Sequence, residues 1–114
     1  MIGAHGERVA AAFLRRQGYR VLTRNYLTLR GEIDLVCRCD NLLVFVEVRT
    51  RAPDGMLRPA ETIDAAKEEA LRFAARHYLE LLGRDDISYR FDVVEIILSS
   101  GEIPVCTLLT DLFA

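Results

Sequence analysis

Gly31-Glu32-Ile33-Asp34-Leu35-Val36-Cys37-Arg38-Cys39-Asp40-Asn41-Leu42-Leu43-Val44-Phe45-Val46-Glu47-Val48-Arg49 is two apolar runs of strand character joined at Asp40-Asn41. Both turn residues tolerate the positive φ of a two-residue hairpin loop, which makes Cys39 the partner of Leu42. Counting back from that pair sets Asp34 across from Glu47 and Glu32 across from Arg49. Strict alternation then puts these four charged residues on one face, with Ile33, Leu35, Val46 and Val48 on the other. A carboxylate in a half-buried strand is costly unless it is paired, hydrogen-bonded or bound to a cation. Directly opposed carboxylates, with Cβ atoms roughly 5 Å apart, repel each other but make a good chelate for a hard divalent ion.

Outward from the hairpin, Val9, Ala10, Phe13 and Leu14 recur at helical spacing, predicting a first helix over 3–16 that stops at Gln17-Gly18. Tyr19 to Leu29 has strand composition, interrupted at Arg24-Asn25. Thr50 to Pro59 is read as a loop, either a crossover linker or a substrate-facing flap. A second helix starts near Thr62 or Asp64 and ends at Gly83, with Ile63, Ala66, Ala70, Leu71, Ala74, Tyr78 and Leu81 as its inner stripe. Strands follow over 89–98 and 103–109, with a last turn over 111–114. The order αβββαββ predicts an α/β fold in which two main helices flank a central mixed β-sheet, the second helix crossing over to a parallel strand.

With 114 residues and 51% hydrophobic content, residues 1–114 are expected to form one domain with a real core. No apolar run reaches membrane-spanning length, and the first residues lack the basic and apolar regions of a signal peptide, so a cytoplasmic protein is expected. Three cysteines argue against a disulfide framework, and Cys37 and Cys39 are read as packing residues. The net charge of −2 hides a split. Residues 15–58 carry nine Arg against five acids, and residues 59–114 carry five basic residues against eleven acids. A basic half around an acidic cluster suits a polyanion-binding face with a metal site, though ordinary solvated arginines give the same count.

Asp34, a hairpin and Glu47-Val48-Arg49 reproduce the pattern D…(D/E)-x-K with Arg last. On these residues, together with Gly6-Glu7, Gly18-Tyr19, Arg24-Asn25, Arg51, Lys67 and Arg90-Phe91-Asp92-Val93-Val94, the chain resembles the restriction-endonuclease-like superfamily. Within it, the chain resembles most the small, uncharacterised YraN-like (UPF0102) bacterial family. The resemblance implies a restriction-endonuclease-like fold and a Mg²⁺- or Mn²⁺-dependent nuclease acting on DNA, in which a homodimer is one available assembly. It implies that Asp34, Glu47 and the carbonyl of Val48 hold the metal, with Glu7 of the first helix as a further acid. Arg49 departs from the superfamily's Lys; it stays protonated and is no general base, but it can orient a phosphate. Lys67, the single lysine beside 14 arginines, is either an exposed helix residue or the amine that takes over that role. Arg24, Arg30, Arg51 and Arg58 are candidate phosphate contacts, and Tyr19 and Tyr26 are open to stacking on bases but suit strand packing better. Two other functions stay open: a nucleic-acid-binding module without turnover, and a protein-interaction scaffold on the same fold.

Overall fold

The computed structural model describes residues 2–51, 63–99 and 101–113. Its elements are α1 (Ile2–Arg16), β1 (Arg20–Leu27), β2 (Glu32–Cys39), β3 (Leu42–Arg51), α2 (Ala65–Leu82), β4 (Ser88–Ile97) and β5 (Val105–Leu109). This is the expected αβββαββ order. The five strands form one mixed sheet in the order β1-β2-β3-β4-β5, in which β3 and β4 alone run parallel, joined through α2. Among the described residues no helix is long and apolar enough to cross a membrane.

The local signals account for most boundaries. Gly18 takes φ 92° just past α1, where Tyr19 N donates to Leu14 O at 2.9 Å. Asp64 caps α2, its side chain accepting from Lys67 N at 2.9 Å, and Gly83 ends the helix in the left-handed region. The hairpin closes on Cys39 and Leu42 as the turn residues require, but only Asp40 takes a positive φ, 53°. The interruption in β1 is Asn25, also at φ 53°, and the ladder to β2 slips by one residue between Val21 and Thr23.

Two expectations change. Thr50 and Arg51 continue β3 rather than opening a loop, because β4 pairs with them through Ile96 and Ile97; the rest of that loop, 52–59, lies outside the described residues. The inner stripe of α2 is Leu71, Ala74 and Ala75, with Tyr78 and Leu79 packed beside them. Ala66 and Leu81, expected on that stripe, are exposed.

Each helix covers one face. Ala10, Ala11 and Leu14 of α1 pack on Leu35, Cys37, Val44, Val46, Val94 and Ile96, while Leu71, Ala74 and Ala75 of α2 pack on Ile33, Val36, Leu43, Phe45 and Phe91. Cys37 is fully buried on the α1 side, where desolvation pushes its thiol up to about 12, so it acts as a small apolar residue.

Asp92 of β4 is 0% exposed and yet fully served. Its carboxylate accepts from Tyr19 Oη at 3.0 Å, from Arg90 Nε at 2.8 Å and from Asp111 N at 3.0 Å, and Arg90 also donates to the Tyr19 hydroxyl at 2.8 Å. The network ties α1's exit to β4 and to the last turn. Asp92→Ala strands the groups that converge on it and is expected to cost about 3 kcal/mol or more in urea denaturation. Tyr19→Phe, which removes one hydroxyl, should cost about 1 kcal/mol.

Candidate functional site

The β2–β3 ladder runs from Cys39 and Leu42 to Leu35 and Val46 and ends there, one residue short of Asp34 and Glu47. Asp34 makes a different bond. Its Oδ2 accepts from the Val48 backbone N–H at 2.8 Å. Alternation also fails here: Ile33 joins the α2-side core and Leu35 the α1-side core. The cause is local, because a side-chain carboxylate has replaced a backbone carbonyl as the acceptor for β3. Strict cross-strand opposition of Asp34 and Glu47 is therefore corrected to a side-chain clasp at the mouth of the hairpin, with the two carboxylates still within each other's field.

Glu47 follows Phe45 on the α2 side of β3, and α2 sends Lys67 back to it: Lys67 Nζ lies 3.2 Å from Glu47 Oε1. Lys67 is not a plain surface lysine. Its side chain is 35% exposed, and although burial pulls its pKa down, the charge and hydrogen bond of Glu47, with the charges of Asp34 and Glu32, together outweigh this and raise it. The other oxygen, Glu47 Oε2, is buried and has no hydrogen-bond partner among the described residues. Burial, then the nearby Asp34 charge, push Glu47 up to about 7 from an ordinary 4.5. Asp34 rises to about 6 from 3.8, chiefly by burial, against the Val48 N–H that holds it down, with Glu7 and Glu32 adding repulsion.

A buried and a half-buried carboxylate raised together, the first with an oxygen that has no partner among the described residues, are a donor set that suits a hard cation, and the Val48 carbonyl belongs to the residue that Asp34 grips. Glu7 is placed differently. The first turns of α1 lie over the end of β3, where a Cβ on Gly6 would stand 3.7 Å from Thr50 Cγ2, and from there the charge of Glu7 acts on Asp34. Among the described residues no group of three His, Cys, Asp or Glu side chains is arranged to hold a metal ion. The pair Asp34 and Glu47 fits the cation, then, while Glu7 is brought near without completing a third ligand.

Arg49 turns away from this pair. In the parallel ladder it stands beside Glu95, and its guanidinium lies 3.5 Å from Glu95 Oε1, with the Nε buried and without a hydrogen-bond partner among the described residues. The expected partner Glu32 pairs instead with Leu27 of β1, near enough to Asp34 and Glu47 for its charge to raise both. Arg51 also bonds Glu95, which makes it a structural cation as well as a candidate phosphate contact. Arg30 lies with its guanidinium 5.5 Å from the centre of the Phe73 ring on α2. Arg24 is exposed on β1, and Arg58 lies outside the described residues. Tyr19 is committed to Asp92, and Tyr26 packs edge-on against Tyr78 while its hydroxyl meets His77 Nδ1. Glu95 was not among the candidates read from the sequence. Its signal is the β3–β4 register, which a crossover of unknown length does not set. A cleft of about 420 Å³ lined by Arg38, Asn41, Leu42, Arg84 and Ile87 lies at the opposite end of β3 and shares no residue with this site.

The family model described as "Uncharacterised protein family UPF0102" matches residues 6–96. Among relatives, a UPF0102 protein of Chlorobium phaeobacteroides is 41% identical over 100 residues, covering 88% of this chain and 79% of that one. One from Anaeromyxobacter dehalogenans is 43% identical over 101 residues, covering 89% and 75%. A third, from Syntrophomonas wolfei, is 42% identical over 101 residues, covering 89% and 88%.

The raised carboxylates set a pH signature. Between roughly pH 4 and 7 the folded protein holds protons at Asp34 and Glu47 that the unfolded chain has released, so their contribution to stability is present at low pH and lost as pH rises through the folded values. The melting temperature of the metal-free Asp34→Asn variant, measured from pH 4.5 to 8, should gain on the wild type as pH rises. A difference that is flat with pH contradicts the burial of charge described here.

Proposed function

Since this chain belongs to the uncharacterised protein family UPF0102, we propose its activity from its own site: a metal-dependent nuclease hydrolysing phosphodiester bonds of DNA, with branched or single-stranded DNA as its substrate. The observation that carries the proposal is Glu47, a buried carboxylate with an ammonium on one oxygen and, among the described residues, no hydrogen-bond partner on the other. Its neighbour Asp34 is raised along with it and accepts from the backbone N–H of Val48, the residue after Glu47 on β3. The αβββαββ order around a mixed sheet supports the restriction-endonuclease-like reading of the fold.

In this proposal Asp34, Glu47 and the Val48 carbonyl hold Mg²⁺ or Mn²⁺, and Glu7 acts as an auxiliary acid. A bound cation of this kind supplies Lewis acidity to a phosphoryl oxygen and brings the pKa of water toward neutrality. The remaining work falls to the chain. Lys67, already beside Glu47, places a positive charge where negative charge develops on the phosphate, the part that Arg49 is too committed to Glu95 to play alone. Arg49, held by Glu95 at the border of the site, adds positive charge beside a bound phosphate. Arg24, exposed on β1, suits a salt-sensitive and sequence-independent backbone contact.

Calorimetric titration with Mn²⁺ should give saturable binding to the wild type that is lost in Asp34→Ala; equal affinity in both sinks the metal site. On nicked, branched and single-stranded DNA, cleavage should vanish in Glu47→Ala and fall about 100-fold in Lys67→Ala. Wild-type protein that binds these DNAs in Mn²⁺ without cutting them would instead identify a binding module.

A further inference from the structure

Residues 28–31 connect β1 to β2 through a turn held by its own side chain. Thr28 Oγ1 donates to Gly31 O at 2.6 Å and accepts from Gly31 N at 3.0 Å, and Thr28 N donates to the same carbonyl at 2.8 Å. These bonds fix the Gly31 backbone against α2. A Cβ built on Gly31 would lie 2.3 Å from Ala70 O, 2.8 Å from Ala70 C and 3.1 Å from Ala70 Cα. All three are helix backbone atoms, so no side-chain rotation makes room. Glycine is needed here for close approach and not for an unusual φ, since Gly31 is not among the residues of positive φ.

The same turn touches α2 a second time, through Arg30 over the Phe73 ring. Phe73, Ala70 and Lys67 are successive members of an i, i+3 row, one side of the helix. The turn therefore grips two members of the row, and the third carries the amine that meets Glu47 at 3.2 Å. A side chain at position 31 would push this part of α2 off the sheet and lift Lys67 with it.

We propose that the Thr28–Gly31 turn is a positioning element for Lys67, with Gly31 setting how deeply α2 seats and Thr28 holding Gly31 in place. Its relevance to chemistry rests on the nuclease reading, but the positioning is read without metal or substrate. Lys67 is the only lysine of the chain, so an amine-acylating ester followed by peptide mass spectrometry reports it alone among side chains. Cys37, buried on the other face of the sheet, serves as an internal check through its reactivity toward a thiol reagent.

Acylation of Lys67 should speed up roughly fivefold in Gly31→Ala as its ion pair is released, with Cys37 no more reactive than in the wild type. Thr28→Ala should give a smaller rise, and Thr28→Ser should return the wild-type rate. Should Gly31→Ala fail to fold, the two Thr28 variants decide. Lys67 labelled at the wild-type rate in Thr28→Ala overturns the proposal, as does a rise in which Cys37 opens in parallel, the mark of general loosening. Loss of hydrolysis in Asp34 or Glu47 variants bears on the nuclease reading, and Lys67 labelling bears on positioning, so the two fail separately.

Discussion

Burial of the Glu47 carboxylate in the middle of β3 is the constraint around which this molecule is arranged. The same sheet buries a second acid, Asp92, and treats it in the opposite way. Asp92 is met by a guanidinium, a phenol and a backbone N–H, so its charge is satisfied within the fold. Glu47 has one ammonium on one oxygen, a carboxylate neighbour, and a second oxygen without a hydrogen-bond partner among the described residues. A structural acid is completed by its surroundings, whereas Glu47 is left short of positive charge in a low-dielectric place, a condition that favours either a proton or a cation.

Several consequences run outward from that residue. Lys67 is held by α2, whose start is set by Asp64 and whose depth is set by the absence of a side chain at Gly31. Asp34 gives up its place in a regular ladder to grip Val48, which orders the β3 segment carrying Glu47. Arg49 and Arg51 share Glu95, so the cations that follow Glu47 along the strand are anchored to β4 rather than turned onto the acids. The arrangement gathers one ammonium at the carboxylates and keeps two guanidinium groups at their border.

Much of this was legible in the sequence, for identifiable reasons. The Asp40-Asn41 turn dictates the pairing from Cys39 and Leu42 as far as Leu35 and Val46, because a two-residue loop leaves one register. The helix ends at Gly18, Asp64 and Gly83 were readable because capping is local chemistry. Counting failed at Asp34, where a side chain competes with the backbone for a ladder hydrogen bond and alternation breaks. The direction of Lys67 and the partner of Arg49 were beyond reach for another reason: both depend on how a crossover seats a helix and a parallel strand, and neither spacing nor periodicity records that. The seating itself had a trace in the sequence, a glycine directly before β2, whose meaning appears only once Ala70 is found against it.

Whether Asp34 and Glu47 form a cation site that Lys67 partly neutralises is decided by a crystal soaked in Mn²⁺ and measured for anomalous scattering. Such a site gives a peak in contact with Glu47 Oε2 and the Asp34 carboxylate, with Lys67 still on the same cluster. Crystals that take up Mn²⁺ elsewhere, or not at all, while Glu47 stays paired with Lys67 alone would contradict it.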